Sequence, residues 1–160
     1  GASDLFNASF KILKKIIISF KLSKVTIIVG PYFSKNLLGK IKSVANLTDK
    51  IKCIGYNNNI LKLINSHDLL VTNSGLTKYE FCLSNKPVLI YSENKNNQLV
   101  NLPFNKKNLC YHYSYLEKDK KMSKIEFNLK YNIMNKNRKK VLDTKGLDRI
   151  FSFLKTQLIY

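Results

Sequence analysis

Residues 68–92 read DLLVTNSGLTKYEFCLSNKPVLIYS, and this stretch decides the fold. Two short apolar runs, DLLVT and PVLIY, have the length and composition of buried strands. Between them, LTKYEFCLSN has the pattern of a helix, and Pro87 stands at the first position of the second run, where a strand tolerates proline. A strand, a helix and a second strand in this order predict a parallel β-α-β unit.

The same alternation extends in both directions from this unit. Upstream lie the strand-like runs KVTIIVG and IKCIG and the helical segments SKNLLGKIKSVA and NNNILKLINSH, and downstream lies a further strand, LCYHYSY. The strands are apolar throughout, which is typical of a parallel sheet that is covered by helices on both faces. We therefore predict that residues 1–116 form a doubly wound, Rossmann-like α/β layer.

The two ends of the chain are predicted to be helical. Ser3 or Asp4 can cap a first helix through LFNASFKILKKIIISF, with Phe6, Phe10, Leu13 and Ile17 on one face. Residues 117–140 predict a lysine-rich surface helix or helix pair, and a turn at DTKG leads to a last amphipathic helix, GLDRIFSFLKTQL. The turn GASD should follow a strand in such a layer, so we expect the chain to be the second half of a longer protein.

Composition limits the classes of function. The chain has 160 residues, 44% of them hydrophobic, which is typical of one globular domain. Its formal charge is +18, from 28 Lys+Arg against 10 Asp+Glu, but only Arg138 and Arg149 are arginines. Base readers and phosphate clamps rely on arginine, so this composition favours a solvated lysine surface over a nucleic-acid interface.

Cysteines and histidines give little sign of metal or redox chemistry. Cys53, Cys82 and Cys110 lie in apolar runs without a CxxC pair, which predicts buried thiols in a reducing, cytoplasmic compartment. His67 and His112 have no ligand-spaced partners and are interpreted as structural. We therefore predict no metal and no cofactor. No apolar run approaches the roughly 18 residues of a membrane span, and no signal peptide is predicted.

The strand ends predict where a ligand binds, because ligands of open α/β sheets lie at the carboxyl ends of the strands. Those ends read GASD, VGPY, IGYN, TNSGLT and YSENKNNQ. GASD and NSGLT place Gly and Ser where a helix starts, so free backbone N–H groups can bind a phosphate without any lysine. Glu80 follows Gly75 by five residues and can accept hydrogen bonds from a ribose diol. Alternatively, Glu80 only favours the helix dipole.

A resemblance sharpens this site. GASD, the stretch DLLVTNSGLTKYEFCLSNKPVLIYSENKNNQ and DTKGLDRI resemble, in order and spacing, the C-terminal domain of the UDP-sugar hydrolases of the pseudaminic acid pathway. Those hydrolases release UDP from UDP-2,4-diacetamido-2,4,6-trideoxy-altrose and are similar to GT-B glycosyltransferases that add N-acetylglucosamine to the peptidoglycan lipid precursor. The resemblance implies that residues 1–160 form one nucleotide-sugar-binding domain, the C-terminal half of a GT-B fold. It also implies a role in surface-polysaccharide sugar biosynthesis.

The resemblance also implies roles for individual residues. No catalytic residue is expected in this chain, because the family's catalytic histidine lies in an N-terminal domain and neither His67 nor His112 matches it. Two positions depart from the family pattern: Ala2 replaces a second glycine, and Tyr79 only loosely matches an aromatic residue before the glutamate. The implied contacts are Gly1, Ser3, Asp4, Ser74, Gly75, Leu76 and Thr77 at the diphosphate, Glu80 at the ribose, Tyr56 beside the uracil, and Asn97 and Gln98 near the sugar.

Two other partners are weighed against a UDP-sugar. A basic nucleic-acid-binding module can use aromatic and lysine clusters such as YHYSYLEKDKK to stack on and neutralise a single strand, although such a stripe is more often part of a sheet. The lysine-rich surface can also attach the protein to an anionic membrane surface, at the inner face of the membrane.

Overall fold

The computed structural model describes residues 3–19, 24–56, 59–116 and 124–157, with side chains described for all of these except 18–19 and 124–129. Helices and strands alternate through most of the chain, as the sequence predicts. In chain order the elements are α1 (Ala8–Ser19), β1 (Val25–Ile28), α2 (Lys35–Ala45), β2 (Ile51–Ile54), α3 (Ile60–Asn65), β3 (Leu70–Thr72), α4 (Thr77–Leu83), β4 (Val88–Ser92), α5 (Lys95–Lys106), β5 (Tyr111–Ser114), α6 (Lys124–Val141) and α7 (Gly146–Gln157).

All strand pairs among the described residues are parallel. β1 pairs with β2, and β4 pairs with β3 on one side and β5 on the other. The strands therefore form a two-stranded sheet and a three-stranded sheet. The sequence predicts one layer. Among the described strands, however, the edge of β1 that faces away from β2 does not pair with the edge of β3 that faces away from β4.

The three-stranded sheet carries helices on both faces. On one face, Leu89 and Tyr91 of β4 pack in a cluster with α1 and with Met134 of α6. On the other face, Val88 and Ile90 pack with residues of α3, α4 and α5. All five residues of β4 are buried, because successive side chains of a strand point to opposite faces and both faces are covered. The Rossmann-like α/β fold is confirmed.

The first helix begins later than predicted. α1 starts at Ala8, after a turn in which Asn7 has a φ of 53°, and the carboxylate of Asp4 accepts hydrogen bonds from the backbone N–H groups of Ala8 (2.6 Å) and Ser9 (2.8 Å). Asp4 is therefore the capping residue, as predicted. The buried face also differs from the predicted one: it contains Ala8, Ile12, Leu13 and Ile16, whereas Phe6 and Ile17 are exposed.

Two helices at the end of the chain differ in how they are held. Arg138 of α6 is buried; its guanidinium donates to the carbonyl of Leu109 and, at 2.7 Å, to that of Lys86, and Tyr131 donates to the carbonyl of Asn85. These bonds fix α6 to the segments that enter β4 and β5. In contrast, α7 has no buried residue, and its apolar side chains are exposed, among them Leu147, Ile150, Phe151, Phe153 and Leu154.

No described helix combines the length and the hydropathy that crossing a membrane requires.

Candidate functional site

Two of the predicted ligand-binding turns lie side by side at the carboxyl ends of β3 and β4. The Ser74 hydroxyl is 3.5 Å from the backbone carbonyl oxygen of Asn97, to which it donates, and the side-chain amide of Asn73 donates to Glu93 Oε1 at 3.2 Å. The turn after β3 also folds on itself, because the N–H of Gly75 donates to Asn73 Oδ1 at 3.2 Å. Ser74 and Gly75 therefore face the same edge of the sheet as Asn97.

Neither the backbone conformation nor the packing at position 75 requires a glycine. No described glycine has a positive φ, and a Cβ at position 75 would meet only the Asn73 side chain, at 3.4 Å, an ordinary van der Waals contact. Gly75 and the neighbouring Leu76 are exposed. The missing side chain therefore leaves open space at the surface, which permits close approach of a ligand to the backbone.

A buried polar network lies directly beneath this turn. Lys78 of α4 is 2% exposed, and its Nζ donates to Asn101 Oδ1 at 3.1 Å. The amide nitrogen of Asn101 donates in turn to the hydroxyls of Ser74 and Ser92, both at 2.9 Å, and the Ser92 hydroxyl is 2.7 Å from His112 Nε2. The network joins the turn after β3 to α4, α5, β4 and β5, so it fixes the position of the Ser74 hydroxyl.

The sequence interpretation did not identify Lys78, Ser92 or Asn101 as part of the site. Only one signal was present: Lys78 precedes Phe81 and Cys82 by three and four residues, which puts it on the buried face of α4. The rings of Phe104 and Tyr79 complete its surroundings, with Nζ 4.9 Å and 5.4 Å from their centroids. Burial lowers the pKa of Lys78.

The remaining predicted residues belong to separate segments: the start of the chain, the end of β2, α4 and α5. Glu80 lies in the first turn of α4 and is exposed, as are Ser3 and Leu76, and Tyr56 after β2 is 75% exposed. Thr77 begins α4 and is half-buried. Gln98 is tied to the end of β5, since its Oε1 accepts a hydrogen bond of 3.4 Å from Ser114. Gly1 lies outside the described residues.

A carboxylate that sequence analysis did not single out lies in the second of the two turns, the one that follows β4. Glu93 follows β4, is half-buried, and accepts the hydrogen bond from Asn73. Burial raises the pKa of Glu93, the Asn73 amide opposes this, and the Asp4 carboxylate adds to the rise. A half-buried carboxylate beside Asn97 is suited to accepting hydrogen bonds from sugar hydroxyls.

The concave space at this edge is small. A shallow pocket of about 190 Å³ is lined by Asp4, Leu5, Asn7, Tyr32, Ser34 and Asn36. Small-molecule sites usually enclose about 300–1,000 Å³. A larger pocket of about 500 Å³ lies beside β5 and α6, and Gln98 is the predicted ligand residue that lines it. Neither of these two pockets is lined by Ser74, Gly75 or Glu80.

The cysteines and histidines of the described residues are free thiols or are hydrogen-bonded within the fold. Cys82 and Cys110 are buried and Cys53 is half-buried, all as free thiols. His67 Nδ1 donates to the Leu63 carbonyl at 2.8 Å, and its Nε2 lies 2.8 Å from the Thr26 hydroxyl. Within the described part of the chain, no three His, Cys, Asp or Glu side chains are grouped to hold a metal ion.

Comparison with known proteins gives one relative. The chain is 26% identical over 96 residues, or 59% of its length, to the protein MJ1062 of Methanocaldococcus jannaschii, which is described as uncharacterized. The matched part is 20% of that relative, so this chain spans about a fifth of its length. No family model matches the sequence, and no solved structure matches it significantly.

Proposed function

We propose that this chain is the UDP-sugar-binding part of a nucleotide-sugar hydrolase or glycosyltransferase, with the catalytic base supplied by another domain. The observation that carries the proposal is the contact between the turn at residues 73–77 and the turn at residues 93–98. In the first turn, Gly75 leaves its backbone accessible at the surface, and the second turn presents Glu93 and Asn97, polar groups suited to a sugar. The Ser74 to Asn97 contact of 3.5 Å supports the proposal, because a nucleotide sugar carries its diphosphate directly next to its sugar.

Within this proposal, the role of each residue follows from its exposure to solvent and from its hydrogen bonds. The backbone N–H groups of Leu76 and Thr77 receive the diphosphate beside Gly75, whose own N–H donates to Asn73 Oδ1. Glu80, exposed on the first turn of α4, accepts the ribose hydroxyls. The Asp4 carboxylate is already bonded to the start of α1, so it shapes the loop after Ser3. Exposed Tyr56 lies at the carboxyl end of β2, where a base can pack against it.

UDP binding measured by calorimetry tests the ribose role. Glu80→Ala is expected to weaken UDP binding by about 1.5–3 kcal/mol, roughly tenfold to 150-fold, because a charge-assisted hydrogen bond is lost. Asp148→Ala is the matched control, since Asp148 is also an exposed carboxylate in the first turn of a helix, at the far end of the chain. Equal UDP affinity of Glu80→Ala and Asp148→Ala rejects the ribose role of Glu80.

A second substitution tests the diphosphate turn. Gly75→Ala should leave the free energy of unfolding nearly unchanged, because the added Cβ finds ordinary contacts, but should weaken UDP binding by about tenfold by blocking close approach. Gly39→Ala is the control: Gly39 lies in α2 with nothing within 4 Å of the added Cβ. If the parent chain binds no UDP at millimolar concentration, or if Gly75→Ala binds it normally, the proposed site is wrong.

A further inference from the structure

The space between the neighbouring edges of β1 and β3, here called the interval, has backbone groups on both sides that make no strand pairing within the described part of the chain. The N–H groups of Val25 and Val29 bond to Lys50 (2.7 Å) and Ile54 (2.8 Å) on the β2 side. Successive residues of a strand direct their backbone groups to opposite edges, so Thr26 and Ile28 point theirs away from β2. On β3, the N–H of Leu70 bonds to Pro87 at 3.0 Å on the β4 side, which directs the N–H of Val71 the other way.

These two edges are near each other without pairing. His67, just before β3, reaches Thr26 of β1 with its imidazole, and the two side-chain atoms are 2.8 Å apart. Directly paired strands lie about 4.8 Å apart, whereas here a whole imidazole side chain extends from one segment to the other. Helix α1 lies across the same interval, because it contacts α2 on one side and packs on Leu89 and Tyr91 of β4 on the other.

Burial gives an independent sign that a strand is absent from the described layer. The residues of β1, VTII, are apolar or β-branched throughout, a composition typical of a strand buried inside a parallel sheet. All four are only half-buried, whereas all five residues of β4 are buried. β1 thus has the sequence of an interior strand and the burial of an edge strand.

Asp4 marks where the chain enters α1 from this interval. It lines the same pocket as Tyr32 and Ser34, which follow β1. It is also near Glu93, which follows β4, since burial and then the Asp4 carboxylate raise the pKa of Glu93. Asp4 therefore lies between the loops that follow β1 and those that follow the three-stranded sheet, at the carboxyl end of the interval.

We propose that the interval between β1 and β3 is the seat of a sixth parallel strand, formed by an apolar, β-branched segment of polypeptide directly preceding Gly1 in a longer protein. This strand runs toward Asp4, continues through α1 into β1 as a right-handed crossover, and joins both sheets into one, in the order β2, β1, new strand, β3, β4, β5. That order is the doubly wound one, with the new strand at the point where the connections reverse direction. The inference does not rest on UDP binding.

Amide hydrogen exchange measured by NMR tests the proposal. The chain is extended before Gly1 by six residues of alternating valine, threonine and isoleucine, and the control extension has the same composition except for one central proline, which cannot donate to a ladder. The extension should slow exchange of the Thr26, Ile28 and Val71 amides at least about tenfold relative to the proline control. The Val25 and Leu70 amides, which already bond within the sheets, should change less.

Three outcomes overturn the proposal. The first is equal exchange at Thr26, Ile28 and Val71 with both extensions. The second is full protection of these amides in the unextended chain at every concentration, which means that the edges already pair. The third is protection that rises with concentration together with dimers in sedimentation, which identifies a second copy as the occupant. If the extended chain does not fold, the same six-residue peptide added to the unextended chain provides the measurement, with the proline peptide as its control.

Discussion

At the scale of single residues, Lys78 shows how the fold accommodates a charge in its core. An isolated buried ammonium is costly, and burial accordingly lowers the pKa of Lys78. The Asn101 amide oxygen and the faces of Phe104 and Tyr79 offset that cost. Because the same asparagine also holds Ser74, the core charge and the candidate ligand-binding turn depend on one side chain.

Replacing this asparagine should therefore be severe. Asn101→Leu removes the partner of Lys78 and the donor to Ser74 and Ser92, and should lower the free energy of unfolding by about 3–5 kcal/mol, since a buried charge is left unpaired. Asn105→Leu, on the exposed side of the same helix, should change it by less than about 0.5 kcal/mol. Urea unfolding followed by circular dichroism measures both.

The double variant separates charge burial from packing. Lys78→Met together with Asn101→Leu removes the charge as well as its partner, so it should be more stable than Asn101→Leu alone. Equal stability of the two variants means that the buried ammonium is not the source of the loss.

The buried thiols predict how stability depends on alkaline pH. Burial raises the pKa of Cys82 to about 11 and that of Cys110 to about 12, from a usual value of 9.0. Above pH 9 only the unfolded chain ionises these groups, so the stability they contribute is complete below pH 9 and is lost as the pH rises through their folded values. Each such thiol lowers the free energy of unfolding by about 1.4 kcal/mol per pH unit in this window. Lys78, whose pKa is lowered, opposes this trend.

Urea unfolding at pH 8 to 10.5 measures this slope. The parent chain should lose stability steeply above pH 9, and Cys82→Ala with Cys110→Ala should lose less per pH unit, whatever its stability at pH 8. A matched control is Cys53→Ala, because Cys53 is only half-buried. If the double variant keeps the slope of the parent, the thiols do not cause it.

At the scale of elements, the local sequence pattern predicted the strands, whereas tertiary contacts determine one helix that the pattern did not predict. The strands were predicted where they occur, because apolar runs between turn residues are a strong local signal. Helix α5 was not predicted: it is rich in asparagine and contains Pro103, and its buried Asn101 and Phe104 hold it to the sheet. Asn97 and Gln98, assigned to a loop, lie in its first turn. The candidate turn NSGLT was visible from spacing, but the network beneath it joins residues 27 and 23 positions apart in sequence.

Arg138 is the residue through which α6 is fixed, so its loss should free the helix. Arg138→Met leaves the Leu109 and Lys86 carbonyls without these donors and should lower the free energy of unfolding by about 2–4 kcal/mol. Arg149→Met is the control, because the pair of Arg149 and Asp143, 2.9 Å apart, is exposed to solvent and contributes little to stability. Similar losses in both variants contradict the anchoring role.

At the scale of the whole molecule, the net charge of +18 comes almost entirely from lysines, and most of the lysines whose burial the structure describes are exposed. Both arginines are engaged within the chain, Arg138 with backbone carbonyls and Arg149 with Asp143, and Lys78 is buried. The cations that remain for an external partner are scattered, exposed lysines, and no arginine is left to bind a phosphate through two hydrogen bonds. Such a surface attracts anions weakly and without sequence preference.

Salt titration distinguishes this surface from a nucleic-acid-binding module. We expect single-stranded oligonucleotides to bind weakly at low salt and not measurably at about 0.15 M, because screened surface lysines supply only counterion release. UDP binding should persist over the same range. Submicromolar oligonucleotide binding at about 0.15 M salt would instead establish a nucleic-acid function.

The distribution of buried apolar residues also affects the order in which the parts of this protein can fold during synthesis. Both large hydrophobic clusters lie on the β3–β4–β5 sheet, while the β1–β2 sheet relies on Leu37 and Ile41 of α2 and Ile51 of β2. During translation, α1, β1, α2 and β2 leave the ribosome before β4 and β5 do. The cluster that receives Ala8, Ile12 and Ile16 of α1 is built from β4 and β5, which emerge later. The amino-terminal half must therefore wait for the carboxyl-terminal half, and a nascent chain stalled before Tyr111 exposes α1 to chaperones.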